Sequence, residues 1–232
     1  MNIFSSNEFL FLIHSFIITF FTLSALWISK ETLITIVVMH CVLANLFVTK
    51  QITLFSLSAT GTDAFIIGSV LGLNVLQEYF GSQIARRVIF VNFFILLYFI
   101  AASFMQCAYV ANEFDTMSNA FDVILLPLPR IVWVSMLVFL FVQFVDYKLF
   151  QILKHIFGER FFVMRNFFSV AFCQLLDTGL FTFFALSGIV HNVWHVALMS
   201  YSIKLLSIFI ISPLLFVFQR YFQKRISNRN ID

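Results

Sequence analysis

The sequence predicts an all-α, polytopic membrane protein with about seven transmembrane helices. Three observations carry this. Of the 232 residues, 61% are hydrophobic and 11% charged, whereas about 25% are charged in an ordinary soluble domain. Several apolar stretches reach or approach the ~20 residues that cross a bilayer as a helix. No polar stretch is long enough to build a water-exposed domain.

Hydrophobic segmentation gives spans at 9–28, 32–49, 55–79, 88–110, 131–153, 166–187 and 190–218. The first two are joined by a tight turn at Ser29-Lys30-Glu31. The first span does not read as a signal peptide, because the leading MNIFSSNE carries no Lys or Arg and no A-x-A-like site follows. The abundant phenylalanines supply lipid-facing bulk. Cys41, Cys107 and Cys173 stand alone in apolar segments, which speaks against a disulfide framework or a zinc site.

Orientation follows from the Lys and Arg of alternating loops. One side holds Lys30, Arg86, Arg87, Lys154, Arg160, Arg165, Arg220, Lys224, Arg225 and Arg229, and the other only Lys50 and Arg130. The C-terminus is therefore expected in the cytoplasm and, with seven spans, the N-terminus outside. The loop 111–130, with Glu113, Asp115 and Asp122, is expected to face out. The net charge of +3 reflects this topology and not nucleic-acid binding.

Polar residues at bilayer depth mark the interior. The third span is rich in glycine, with Gly61, Gly68, Gly72 and Gly81 in or beside it, and also carries Asp63, Asn74, Gln77 and Glu78. Gly68 and Gly72 form the G-x-x-x-G spacing of close helix packing. The same pattern fits a backbone unwound around a substrate. Asn74 and Glu78 are one turn apart on one helix face, which favours a lining role over anchoring Glu78 to Arg86 and Arg87.

A polar pair recurs as Q-x-x-D-x-x-L-F, at Gln143/Asp146 and at Gln174/Asp177. Each pair shares a helix face. A carboxylate at mid-membrane costs about 3 kcal/mol on insertion scales, so it is expected to line a cavity, meet a cation or bind something. Carboxylate plus amide suits a nitrogen-rich heterocycle, since the carboxylate can take two parallel N–H bonds. Lys204 lies about 14 residues into the last span and Asp177 about 11 residues into the one before, so at 1.5 Å per residue both fall near mid-membrane. Two roles fit an Asp177–Lys204 pair: neutralising two buried charges, or positioning substrate and responding to protonation.

Other signals are weaker. His191 and His195 have a metal-compatible i, i+4 spacing without a third ligand nearby, and read as an interfacial pair beside Trp194. His14 and His40 read as packing residues. Neither a Walker A sequence nor H-E-x-x-H or G-x-S-x-G occurs, so the chain is expected neither to hydrolyse ATP by itself nor to be an enzyme.

The segment LANLFVTKQITLFSLSATGTDAFIIGSVLGLNVLQEYFGSQIARRVIF resembles the signature region of the queuosine precursor transporter family, also called the vitamin uptake transporter family. Glu78-Tyr79-Phe80-Gly81 and Ala85-Arg86-Arg87 stand where the family has E-x-Y-G or a near variant, and A-R-R. Gln143–Phe150 resembles its fourth core helix. Ser169 with Gln174-Leu175-Leu176-Asp177-Thr178 resembles its S…Q-x-x-D-T motif, and Tyr201-Ser202-Ile203-Lys204 with Pro213 its last helix. The likeness covers about residues 40–220. The chain departs from the pattern at Asn74, where the family usually has Asp, and at Ile67-Gly68, where it usually has Phe-Pro.

The resemblance implies a six-helix core over 31–220, an extra N-terminal span over 1–30 and a basic tail over 221–232. It implies a bacterial inner-membrane carrier for a 7-deazaguanine (preQ0, preQ1 or queuine) that feeds transfer RNA modification. No cofactor or nucleic acid is expected as partner; the substrate and membrane lipid are, with a coupling ion or proton left open. The site expected is Asn74, Glu78, Gln143, Asp146, Gln174 and Asp177, with Lys204 for coupling or charge balance. A deazaguanine offers an N1–H/2-amino edge to Asp and a 6-oxo group to Gln or Lys. Two other classes fit the same chain: a substrate-binding membrane subunit served by a separate ATPase, and a non-transport membrane protein.

Overall fold

A computed structural model describes residues 6–157 and 162–206. The side chains of Glu78, Gln143, Asp146, Arg165 and Ser169 lie outside the described set, as do residues 207–232 with Pro213 and the basic tail. The helices are α1 (Asn7–Ile28), α2 (Lys30–Phe47), α3 (Asp63–Phe80), α4 (Ser82–Ala108), α5 (Ser118–Leu125), α6 (Leu128–Phe157) and α7 (Phe162–Leu186). An eighth, α8, is described over Val193–Leu206. Four stretches among the described residues are long and apolar enough to cross a membrane, the longest being Gln83–Ala108. The chain is a multi-pass membrane protein.

Its surface is apolar and its interior carries polar groups. Phe16, Phe90 and Phe94 are about 70% exposed, while Thr22, His40, Asp63, Thr178, Thr182 and Ser200 are buried. That inversion is what lipid as solvent demands: phenylalanine costs nothing against acyl chains, and polar side chains need partners inside.

Ser29 alone links α1 to α2. It caps both, donating its N–H to the Ala25 carbonyl and accepting from the Thr32 N–H through its hydroxyl. This tight turn holds α1 and α2 side by side, and α3 packs on both. A Cβ at Gly68 would run into Ile18 and the His40 ring, and one at Gly72 into Val37. The glycines therefore admit neighbouring helices, and α3 is continuous from Asp63 to Phe80. The unwound backbone expected of the third span is not found; a helical glycine removes a side chain without breaking the hydrogen-bond ladder.

The third span also starts later than expected. Residues 51–60 form an antiparallel hairpin, Gln51–Leu54 against Leu57–Thr60, with Gln51 opposite Thr60. Its two-residue turn, Phe55-Ser56, has φ of 48° and 64°. This is the left-handed geometry that hairpins prefer, here without the usual Gly or Asn. The strain is held from outside. The Glu8 carboxylate accepts from the Phe55 N–H at 2.9 Å, Asn7 donates to the Thr53 carbonyl, and Gln51 accepts from the His191 N–H. Leu54 and Ala59 are fully buried against Met199 and Ile203 of α8. The hairpin thereby fixes where α3 begins.

The loop before α6 carries the short helix α5. Its start is capped by Asp115, whose carboxylate accepts from the Met117 and Ser118 N–H groups and the Ser118 hydroxyl. These bonds, the Ser118 hydroxyl foremost, hold the Asp115 carboxyl below the usual carboxylate range. At the same end of the bundle Arg130 donates twice to the Phe184 carbonyl, at 3.1 and 2.8 Å, satisfying an orphan group at the end of α7.

Candidate substrate-binding site

Between α2, α3, α4, α6, α7 and α8 lies a cavity of about 350 Å³, within the size range of small-molecule sites. Five helices each give it a stripe at helical spacing: Cys41, Ala44 and Asn45 from α2, with Val48 just past its end; Ile66, Ser69, Val70 and Leu73 from α3; Ile89, Asn92, Phe93 and Leu96 from α4; Ser135, Phe139 and Val142 from α6; Gln174, Asp177 and Phe181 from α7. Thr62 and Lys204 complete the wall. The glycines of α3 sit on its opposite face, so one helix both packs and lines.

Lys204 brings a cation to this wall. Its Nζ donates to Asp177 Oδ2 at 2.7 Å and to Thr178 Oγ1 at 3.0 Å. The pair is not sealed: the Lys204 side chain is 12% exposed and that of Asp177 30%. An ammonium has three donors and a carboxylate about four acceptor sites, so both have capacity to spare. Ser200, one turn before Lys204, donates to Asp63 Oδ1 at 2.7 Å. Tyr201 donates to the Ala171 carbonyl at 3.3 Å. One face of α8 thus ties α7 to α3.

The rest of the wall is neutral. Asn45 donates to the Cys41 carbonyl at 2.8 Å, and Cys41 Sγ lies 3.2 Å from Ser69 Oγ. Asn92 Oδ1 is buried and meets no donor. Phe93 and Phe139 meet edge to face, with centroids 5.4 Å apart, and with Phe181 provide flat apolar surface for a ring.

Of the residues the sequence singled out, Gln174, Asp177 and Lys204 come together on this wall. Asn74 is exposed one turn beyond Val70 and is not part of it. Gln143 and Asp146 follow Val142 along α6, and Glu78 follows Asn74 along α3; their side chains lie outside the described residues. Exposed His191 and His195 sit where α8 begins, whose first turn is capped by Asn192 accepting from the His195 N–H. Sequence reading passed over Asn45 and Asn92, and named Asp63 only as one polar residue of the third span. The same rule that found Gln174, an amide inside an apolar span, could have found both asparagines.

Residues 60–218 match the family described as "Putative vitamin uptake transporter". The chain belongs to the vitamin uptake transporter family. A relative in Bacillus subtilis (strain 168), named "Probable queuosine precursor transporter", is 32% identical over 166 residues, covering 70% of this chain and 72% of the relative. No solved structure matches. The family match spans α3 to α8 and so contains Asp63, Asp177 and Lys204. It covers the helices that form most of the cavity wall.

Proposed function

We propose that the protein imports a 7-deazaguanine queuosine precursor (preQ0, preQ1 or queuine) across the bacterial inner membrane. The C-terminus lies in the cytoplasm, and access alternates around the cavity. The observation that carries the substrate class is the Asp177–Lys204 pair. Side by side, a carboxylate and an ammonium offer two acceptors and then a donor. A guanine-type edge offers the complement: 2-amino, N1–H and 6-oxo. Gln174 on the same stripe adds an amide, and Phe93, Phe139 and Phe181 offer faces for the ring. The name of the Bacillus subtilis relative supports the same substrate class.

The test is transfer RNA queuosine content, read by boronate-gel shift, in cells lacking both precursor synthesis and their own transporter. The chain is expressed there and preQ0, preQ1 and queuine are fed separately, with the enzymes that use each supplied. Rescue by at least one compound is expected, with Asp177→Asn at background despite normal membrane levels. Rescue by none, with the wild-type protein shown in the membrane, overturns the substrate reading. Uptake by the purified chain alone in liposomes separates a self-sufficient carrier from a subunit needing an ATPase.

A further inference from the structure

Asp63 is a buried carboxylate with no role in the site as drawn. It opens α3, is 1% exposed, and accepts the Ser200 hydroxyl on Oδ1. Its Oδ2 is buried and accepts no well-formed hydrogen bond, the Thr60 amide being its neighbour on the hairpin. Ser200, the donor to Oδ1, lies one turn before Lys204 on α8 and so brings Asp63 to the Lys204 side of that helix, yet the ammonium is committed to Asp177 and Thr178. Two carboxylates therefore stand around one ammonium. Among the described residues, the other titratable side chains on the elements packed here have contacts of their own: His14 of α1 meets Phe65, His40 of α2 meets Gly68 and Phe65, Cys41 meets Ser69, and Tyr201 meets the Ala171 carbonyl.

We infer that Asp63 is the proton-carrying group that couples substrate binding to a proton; the inference rests on the transport reading above. With the proton on Oδ2, Asp63 is neutral and makes no claim on Lys204. The ammonium then stays beside Asp177, and the acceptor–acceptor–donor edge is complete, which is the arrangement seen here. Without the proton, Asp63 is a second anion competing for the same ammonium. Lys204 is drawn off, and the edge loses its donor. Proton and substrate then favour each other's binding, which is the linkage of a symporter. One proton enters with each substrate and leaves to the cytoplasm with it.

The experiment uses the purified full chain in liposomes, with whichever of tritiated preQ0, preQ1 or queuine the wild type exchanges. Wild-type affinity is expected to weaken with rising pH, by up to about tenfold per pH unit above the midpoint, and an inward proton gradient to drive accumulation. Asp63→Asn mimics the protonated form. It should keep exchange, bind with less than about twofold change over the same pH range, and lose gradient-driven accumulation. Ser200→Ala keeps the carboxylate but deletes its donor, and should move the midpoint about one pH unit toward alkaline.

If Asp63→Asn fails to fold, the Ser200→Ala midpoint decides: an unmoved midpoint overturns the inference. So does pH-dependent binding that persists in Asp63→Asn, or accumulation driven by sodium and not by protons. Failure of the wild type to exchange any of the three compounds is a different result. It overturns the substrate reading and this inference with it.

Discussion

Along α2, α3 and α4 the cavity wall is neutral, with Asn45, Ser69 and Asn92 between apolar neighbours. Across from it, α7 and α8 present Asp177 and Lys204 at 2.7 Å. The two walls meet the cost of polarity inside a membrane differently. An amide or hydroxyl can be satisfied by one local bond, as Asn45 is by the Cys41 carbonyl. A carboxylate needs a cation, and that cation must come from another helix. The charged wall therefore requires α7 and α8 to be correctly seated, whereas each residue of the neutral wall can be changed nearly alone. On the proposed reading, the charged wall sets whether there is a site, and the neutral wall tunes what fits it.

The comparison breaks most sharply at Lys204. Lys204→Ala leaves Asp177 unpaired; removing one partner of a fully buried pair costs about 3–5 kcal/mol, and a smaller cost is expected for this half-open one. Uptake should fall to background, and the thermal midpoint of the purified protein should drop. Replacing both partners, as Asp177→Asn with Lys204→Gln, should recover most of the midpoint and none of the uptake. A double variant that still transports would show the pair to be structural only.

Behind the neutral wall, Gly72→Leu drives a side chain into Val37. Overpacking of this kind costs about 1–3 kcal/mol, so the thermal midpoint should fall while the substrate KM of the folded fraction holds. Asn92→Ala should raise KM about tenfold, the loss of one hydrogen bond to bound substrate, with maximal rate unchanged. An unchanged KM would leave the neutral wall as packing.

The smallest effect lies outside the cavity. The Asp115 carboxyl is held below its ordinary range by the bonds it accepts at the start of α5. Its contribution is present above the ordinary carboxylate range and is lost as pH falls through the lowered value. The Met117 and Ser118 amides should therefore lose protection from hydrogen exchange on acidification, relative to neighbouring amides. In Asp115→Asn that pH dependence should disappear. Transport should not change in either case, because α5 does not border the cavity.

Much of this was legible in the chain itself. Apolar length placed the helices to within a few residues for α1, α2, α6 and α7. Counting 1.5 Å per residue from each side brought Asp177 and Lys204 to one depth. The hairpin was not legible. QITLFSLSAT mixes apolar and hydroxyl residues with no Gly or Asn at its turn and leads straight into an apolar span, so its short alternation was absorbed into the head of a helix. Losing the hairpin also hid Asp63, which then looked like one more polar residue in an irregular span.

The sequence by itself determined that the chain lives in a membrane, because composition alone decides which solvent its surface prefers. It determined which residues are costly there, and so which must find partners. Common depth allowed the Asp177–Lys204 pair to be anticipated, but only the tertiary structure decided the other partners and joined that pair. Asp177 takes Lys204, Asp63 takes Ser200, and Asn92 is left with an acceptor and no donor. Helical periodicity fixes which residues share a face, but not which neighbour that face meets. That depends on how closely α3 can approach α1 and α2 at its glycines, and on where the hairpin lets α3 begin.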